Sequence, residues 1–209
     1  EIAWIPGQER LSPEDFDGLP QSRDYSKDRW EFSFSSQYFP EVNLQVETSF
    51  GKAINLAPVG EMSPETANVT EAEFVLTLRP NPHLRNDNTY ILSRLTDTGT
   101  GDSIFNNHIF RSKWNWQFNR ELALRVIFQY DSVLANPSLT SLDTRKNFNA
   151  DLLFTYLVNP WSALYIGYNS NFRNVGLVPT SFGSSLVTTD EFLNDSRQFF
   201  VKFSYLFQY

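Results

Sequence analysis

The chain has 209 residues, a formal charge of -7, no Cys, 9 Gly, and 5 Trp, 9 Tyr and 19 Phe. The missing Cys rules out disulfides, a thiol nucleophile and Cys-ligated metal, and the acidic balance argues against nucleic acid, whose phosphates need clustered Lys and Arg. No apolar run approaches the roughly 18 residues of a membrane-spanning helix, but a spanning β-barrel stays open because its strands alternate.

Residues 1–28 are rich in Pro, Asp, Glu and Gly and read as a leader or cover loop. Within it, Ser12-Pro13-Glu14-Asp15 has the pattern of a short helical turn: a cap, a Pro at the first helical position, and an acid three after the cap. The chain opens at Glu1 without a charged-then-apolar signal segment, as a processed chain or a piece of a longer one would.

From Trp30 the dominant period is two. Residues 29–38 set Trp30, Phe32, Phe34 and Tyr38 against Arg29, Glu31, Ser33 and Gln37; residues 41–50 set Val42, Leu44, Val46 and Phe50 against Glu41, Asn43, Gln45 and Glu47. Residues 73–79, 105–118, 122–131, 147–158, 161–172 and 198–209 alternate in the same way, and 88–95 less clearly, because Arg94 shares a parity with Tyr90 and Leu92. These nine segments predict strands, most of about ten residues, the length of a tilted membrane strand rather than the 5–6 of a soluble one. Residues 29–209 are expected to form one β domain.

Twelve charges in strand interiors fall on the polar parity, six cations and six carboxylates, among them Glu41, Glu47, Glu73, Arg79, Arg111, Lys113, Arg125, Asp131, Asp151 and Lys202. Arg111, Lys113, Arg125, Asp131, Asn149, Asp151 and Lys202 are expected to line a polar lumen wired by cross-strand ion pairs. On the other parity, Trp30, Trp114, Trp116, Tyr130, Tyr156, Tyr205 and Tyr209 are expected as a lipid-facing girdle.

The connections alternate in length. Tyr38–Glu41, Asn119–Glu121 and Asn159–Trp161 are tight, 80–87 is moderate, and 51–72, 96–104, 132–146 and 173–197 are long. Outer-membrane barrels sort their connections this way, short turns periplasmic and long loops outside. Nine strands counted back from a periplasmic C-terminus start the first one outside the cell, and bacterial barrels have even strand numbers. A strand is therefore missed in the reading, or this is the C-terminal part of a larger barrel.

The closing segment, with an aromatic at every second position to Tyr209, resembles the signal that outer-membrane proteins present to the barrel-assembly machinery. Leu78-Arg79-Pro80-Asn81-Pro82-His83-Leu84, Phe110–Phe118, Leu152–Tyr156 with Trp161, and Gln198–Phe207 together resemble the C-terminal barrel of a bacterial outer-membrane family. Its members carry an N-terminal carbohydrate-binding-like (family 9-type) β-sandwich before a barrel domain of unknown function. The likeness spans roughly residues 28–209. It implies an all-β, antiparallel transmembrane barrel in the outer membrane of a Gram-negative bacterium, with no catalytic motif to carry over.

No GxSxG, HExxH, Walker or dinucleotide glycine motif occurs, and neither a cofactor nor a metal is expected. His83 and His108 read as ordinary surface histidines. Thr98–Asp102 reads as a plain turn rather than a calcium loop. Glu41 with Glu47, or Asp151 with a neighbour, are the candidate carboxylate pairs for hydrolysis.

The expected role is non-enzymatic, porin-like passage or anchoring and assembly. The partners expected are lipid and lipopolysaccharide, the assembly machinery, and other outer-membrane or cell-surface proteins. The alternatives are a soluble carbohydrate-binding β-sandwich and an outer-membrane barrel hydrolase.

Overall fold

A computed structural model describes residues 1–16, 18–180 and 183–206, without the side chains of 177–180 and 183–186. The fold is all-β and antiparallel, with twelve strands and no helix among the described residues. The strands are β1 (Ile2–Ile5), β2 (Gln8–Leu11), β3 (Arg23–Ser26), β4 (Arg29–Phe39), β5 (Val42–Asn55) and β6 (Glu65–Asn81). They continue with β7 (Leu84–Asp97), β8 (Ser103–Gln117), β9 (Leu122–Ala135), β10 (Arg145–Asn159), β11 (Ser162–Thr180) and β12 (Gly183–Tyr205).

Ten strands make one sheet in the order β1-β4-β5-β6-β7-β8-β9-β10-β11-β12, and β2 and β3 form a separate hairpin. All nine segments expected as strands are strands, β4 to β12, with 207–209 of the last lying outside the described residues. The tenth strand of the sheet is β1, which corrects the reading of 1–28 as loop: Ile2 pairs with Phe32 and Trp4 with Trp30. Four residues are too few for a period to show, yet Ile2 and Trp4 extend the apolar parity of β4 onto β1. The turn at Ser12 is present without a helix. Asp15 Oδ2 accepts the Ser12 backbone N–H at 3.1 Å and the Ser12 hydroxyl at 2.8 Å, so the polar atoms close on themselves.

The long connections are shorter than expected, because the strands run on. The residues between β5 and β6 are 56–64, those between β7 and β8 are 98–102, and those between β9 and β10 are 136–144. Most of 173–197, expected as a loop, belongs to β11 and β12, the latter 23 residues long. Beyond the rings the apolar residues no longer keep to one parity, Val69 and Leu95 standing on the polar one, so the alternation is lost although the ladder continues. The tight connections are two residues each after β4, β6 and β10. The turns after β4, β6, β8 and β10 gather at one end of the sheet and the longer loops after β5, β7 and β9 at the other, where β11 and β12 stay paired up to Thr180 and Gly183.

The apolar core sits at the long-loop end. Leu11, Leu19, Tyr25 and Ile54 form one buried cluster, with Phe16 against it. The Tyr25 hydroxyl donates to the Pro64 carbonyl at 2.8 Å, fastening the β2–β3 hairpin to the loop before β6. A second cluster joins Ala67, Val69, Leu95 and Ile104, and Leu139 from the β9–β10 loop packs on it. That loop also reaches the β5–β6 loop: Thr140 Oγ1 donates to the Ala57 carbonyl at 2.6 Å, and Asn55 Nδ2 to the Leu139 carbonyl at 3.0 Å. Ala67, Val69 and Leu95 share the polar parity, so the loops lean over the polar face.

Elsewhere most side chains of both faces are at least partly exposed. The surface is 14066 Å², against about 10,000 Å² for a compact soluble chain of this mass. A soluble sandwich, the first alternative, needs its apolar parity turned into a core. Here Phe34 is 59% exposed, Trp116 47%, Tyr156 42% and Phe203 62%.

Candidate functional site

The register sorts every strand residue onto one of two faces. On the apolar face, Phe34, Val46, Phe74, Tyr90, Phe110, Tyr130, Phe148 and Phe172 are successive partners across β4 to β11. Aromatic rings thus stand at one level on six adjacent strands, β6 to β11. Neighbouring rings touch: Phe74 and Tyr90 are 6.2 Å apart between centroids, as are Phe148 and Phe172. A second band of rings stands near the short turns, with Trp116 stacked on Phe118 at 4.8 Å and Tyr156, Phe203 and Tyr205 beyond.

Of the residues expected as girdle, Tyr130 stands in the first row, Trp116, Tyr156 and Tyr205 in the second, and Trp114 between them. Trp30 lies higher, between Trp4 and Phe50. Tyr209 lies outside the described residues.

A polar cluster interrupts the apolar face. Asn86, Asn88 and Ser112 share its parity in mid-sheet and bond to one another, Ser112 Oγ donating to Asn88 Oδ1 at 2.7 Å and Asn86 Nδ2 to Ser112 Oγ at 3.2 Å. Asn86 is buried, so its donors and acceptors are answered within the cluster. His108, higher on this face, shares a hydrogen bond of 2.9 Å between Nδ1 and the Tyr90 hydroxyl. His83 stands in the β6–β7 turn, where its carbonyl accepts the Gln117 N–H at 2.7 Å.

The polar face carries Arg111, Lys113, Arg125, Asp131, Asn149, Asp151 and Lys202 together. Arg111, Gln129 and Asn149 are in one row, and Lys113, Ile127 and Asp151 in the next. The expected cross-strand wiring is corrected. Among the described residues none of these seven makes an ion pair; Asp131 accepts from Asn147 at 3.0 Å, and Asp151 from Asn169. The ion pairs on this face are instead Arg29–Glu71 at 2.9 Å, Arg85–Asp87 at 2.9 Å and Arg173–Asp195 at 3.6 Å.

Elsewhere on the polar face like charges are grouped. Glu31, Glu47, Glu71 and Glu73 line a cavity of about 480 Å³ along β4, β5 and β6 near Glu1. Arg79, Arg85 and Arg125 line another of about 710 Å³ at the short-turn end, with Glu41, Asn115, Gln117 and Thr155. Arg85 and Arg125 both pair with Asn115, from opposite sides. Arg85 escaped the sequence reading because 80–87 reads as a turn whereas β7 begins at Leu84, and Arg79 and Arg125 could not be brought together without the register.

The candidate carboxylate pair also changes. Glu41 lies in the turn before β5, six positions from Glu47, whereas the partner that stands opposite Glu47 is Glu73. At 98–102 the chain makes a turn in which Asp97 Oδ1 accepts the N–H groups of Thr100 at 2.7 Å and Gly99 at 2.9 Å. Beyond the apolar rows, these backbone donors hold the Asp97 carboxyl below its ordinary pKa. Gly101 takes the left-handed conformation that closes the turn.

No family model matches the chain, and no curated protein matches it in sequence.

Proposed function

We propose that the ten-stranded sheet is the wall of a transmembrane antiparallel β-barrel in the bacterial outer membrane, with a non-enzymatic role in passage across that membrane or in anchoring there. The observation that carries this reading is the exposed apolar face with its two bands of aromatic rings. Water-soluble monomers rarely expose contiguous apolar patches beyond a few hundred Å². Lipid is the medium that covers such a face on every strand at once. From Leu122 to Tyr130, or from Phe148 to Tyr156, each strand rises about 27 Å between the bands. Tilted by roughly 40°, that is about 20 Å, close to the apolar band of roughly 25 Å in outer-membrane barrels.

The directions of the outer strands support the same reading. β1 and β12 are the outer strands of the sheet and run in opposite directions. Their pairing would give ten strands, an even number, with every neighbour antiparallel, and would leave no edge in lipid. The resemblance of residues 28–209 to the outer-membrane family agrees with it. Lipopolysaccharide around the wall, the assembly machinery at β12 and other surface proteins at the loops are the partners implied.

The test is a gel of detergent-extracted outer membrane run with and without boiling. A closed barrel migrates faster unheated and shifts on boiling. A protein that leaves the cell envelope in plain buffer, with no shift, would remove the reading.

A further inference from the structure

We propose that the short-turn end of the polar face is a binding site for a soluble anion with two or more carboxylate or phosphate groups, held by Arg79, Arg85 and Arg125. These guanidiniums come from β6, β7 and β9 and face one cavity of about 710 Å³, whose acidic lining among the described residues is Glu41 alone.

The donors are also free. Among the described residues, neither Arg79 nor Arg125 has an ion-pair or hydrogen-bond partner for its side chain. Arg85 binds Asp87 through Nε alone, at 2.9 and 3.0 Å, which leaves both terminal nitrogens of its fork available. A planar guanidinium fork matches the two oxygens of a carboxylate or phosphate, so the residue type points to oxyanions rather than halide. Arg85 and Arg125 flank Asn115 in one row, two strand spacings or about 10 Å apart at Cα. Side chains of that reach can grip two groups on one solute, with Asn115 between them offering a neutral donor. Pro80 and Pro82 stiffen the turn beside Arg79 and Arg85.

The site sits on the face opposite the apolar rings, so it does not require lipid around the protein. Its success and that of the barrel reading are therefore separable.

The experiment is isothermal titration of the folded full chain with inorganic pyrophosphate and with citrate, at low salt. Saturable binding is expected. Each of Arg79→Gln and Arg125→Gln, folded by circular dichroism, should weaken it about tenfold. Arg125→Lys should recover part of the loss, because it keeps the charge but not the fork. Arg145→Gln, at the other end of the polar face, should change nothing. Absence of saturable binding to either anion, or equal loss in Arg145→Gln, would overturn the proposal. So would binding seen only with micelles doped with an anionic phospholipid, which would make the site one for a head group.

Discussion

Glu47 stands directly opposite Glu73 across β5 and β6, and no ion pair answers either carboxylate among the described residues. Like charges directly opposite in a ladder are destabilising, where opposite charges contribute roughly 0.2–1 kcal/mol. Glu73→Lys should raise the thermal midpoint of the folded protein at low salt, and the gain should shrink as salt rises. An unchanged midpoint at both ionic strengths would mean that the two carboxylates already splay apart into solvent.

The two faces should respond differently to charge. Val126 and Leu152 are partners midway between the aromatic bands. Val126→Arg or Leu152→Arg should cost about 2–4 kcal/mol in refolding equilibria in lipid, while Asn149→Asp on the polar face should be mild. Equal tolerance on both faces would contradict a lipid-facing apolar parity.

Gly167 is opposite Phe200, and a Cβ built on the glycine would collide with the phenyl ring. The ring lies over the glycine, the arrangement in which an aromatic covers a bare strand position. Gly167→Ala should therefore destabilise by about 1–3 kcal/mol. Adding Phe200→Leu should return part of that loss, and a double-mutant cycle on thermal unfolding measures the coupling.

The leader hairpin is held by few contacts. Tyr25→Phe removes the hydrogen bond to the Pro64 carbonyl and should cost about 0.5–1.5 kcal/mol; Leu19→Ala in the same cluster should cost about 2–5 kcal/mol. Both should speed proteolysis of residues 6–28 before the ladder strands exchange their amide hydrogens. Simultaneous loss would show that the hairpin and sheet unfold as one unit.

What was legible in the sequence follows from these contacts. The nine long strands could be read because each has one apolar parity, which forces a period of two. β1 could not, since Ile2–Ile5 is too short, and its membership depends on pairing with Trp30 and Phe32. The strand extensions above the rings could not either, because there the pattern inverts: in β6, Asn68 and Thr70 take the parity of the rings while Ala67 and Val69 take the other. The start of the seventh strand was hidden for a local reason: Asn86 and Asn88 sit on the apolar parity, where Ser112 on the next strand completes their hydrogen bonds. The arginine cavity is a property of register, and register across strands is absent from any single segment.

The ring row across β6 to β11 has a consequence for how the protein can misfold. A one-residue slip between two strands would turn a whole set of side chains to the wrong face, and the pleat alone forbids it. A slip of two residues keeps the faces correct and would pass that filter. Sliding β10 by two against β9, however, would take Phe148 out of line with Tyr130 and set Ala150 or Lys146 in its place. The rings thus act as a vernier, marking the one alignment among those that the alternation leaves open.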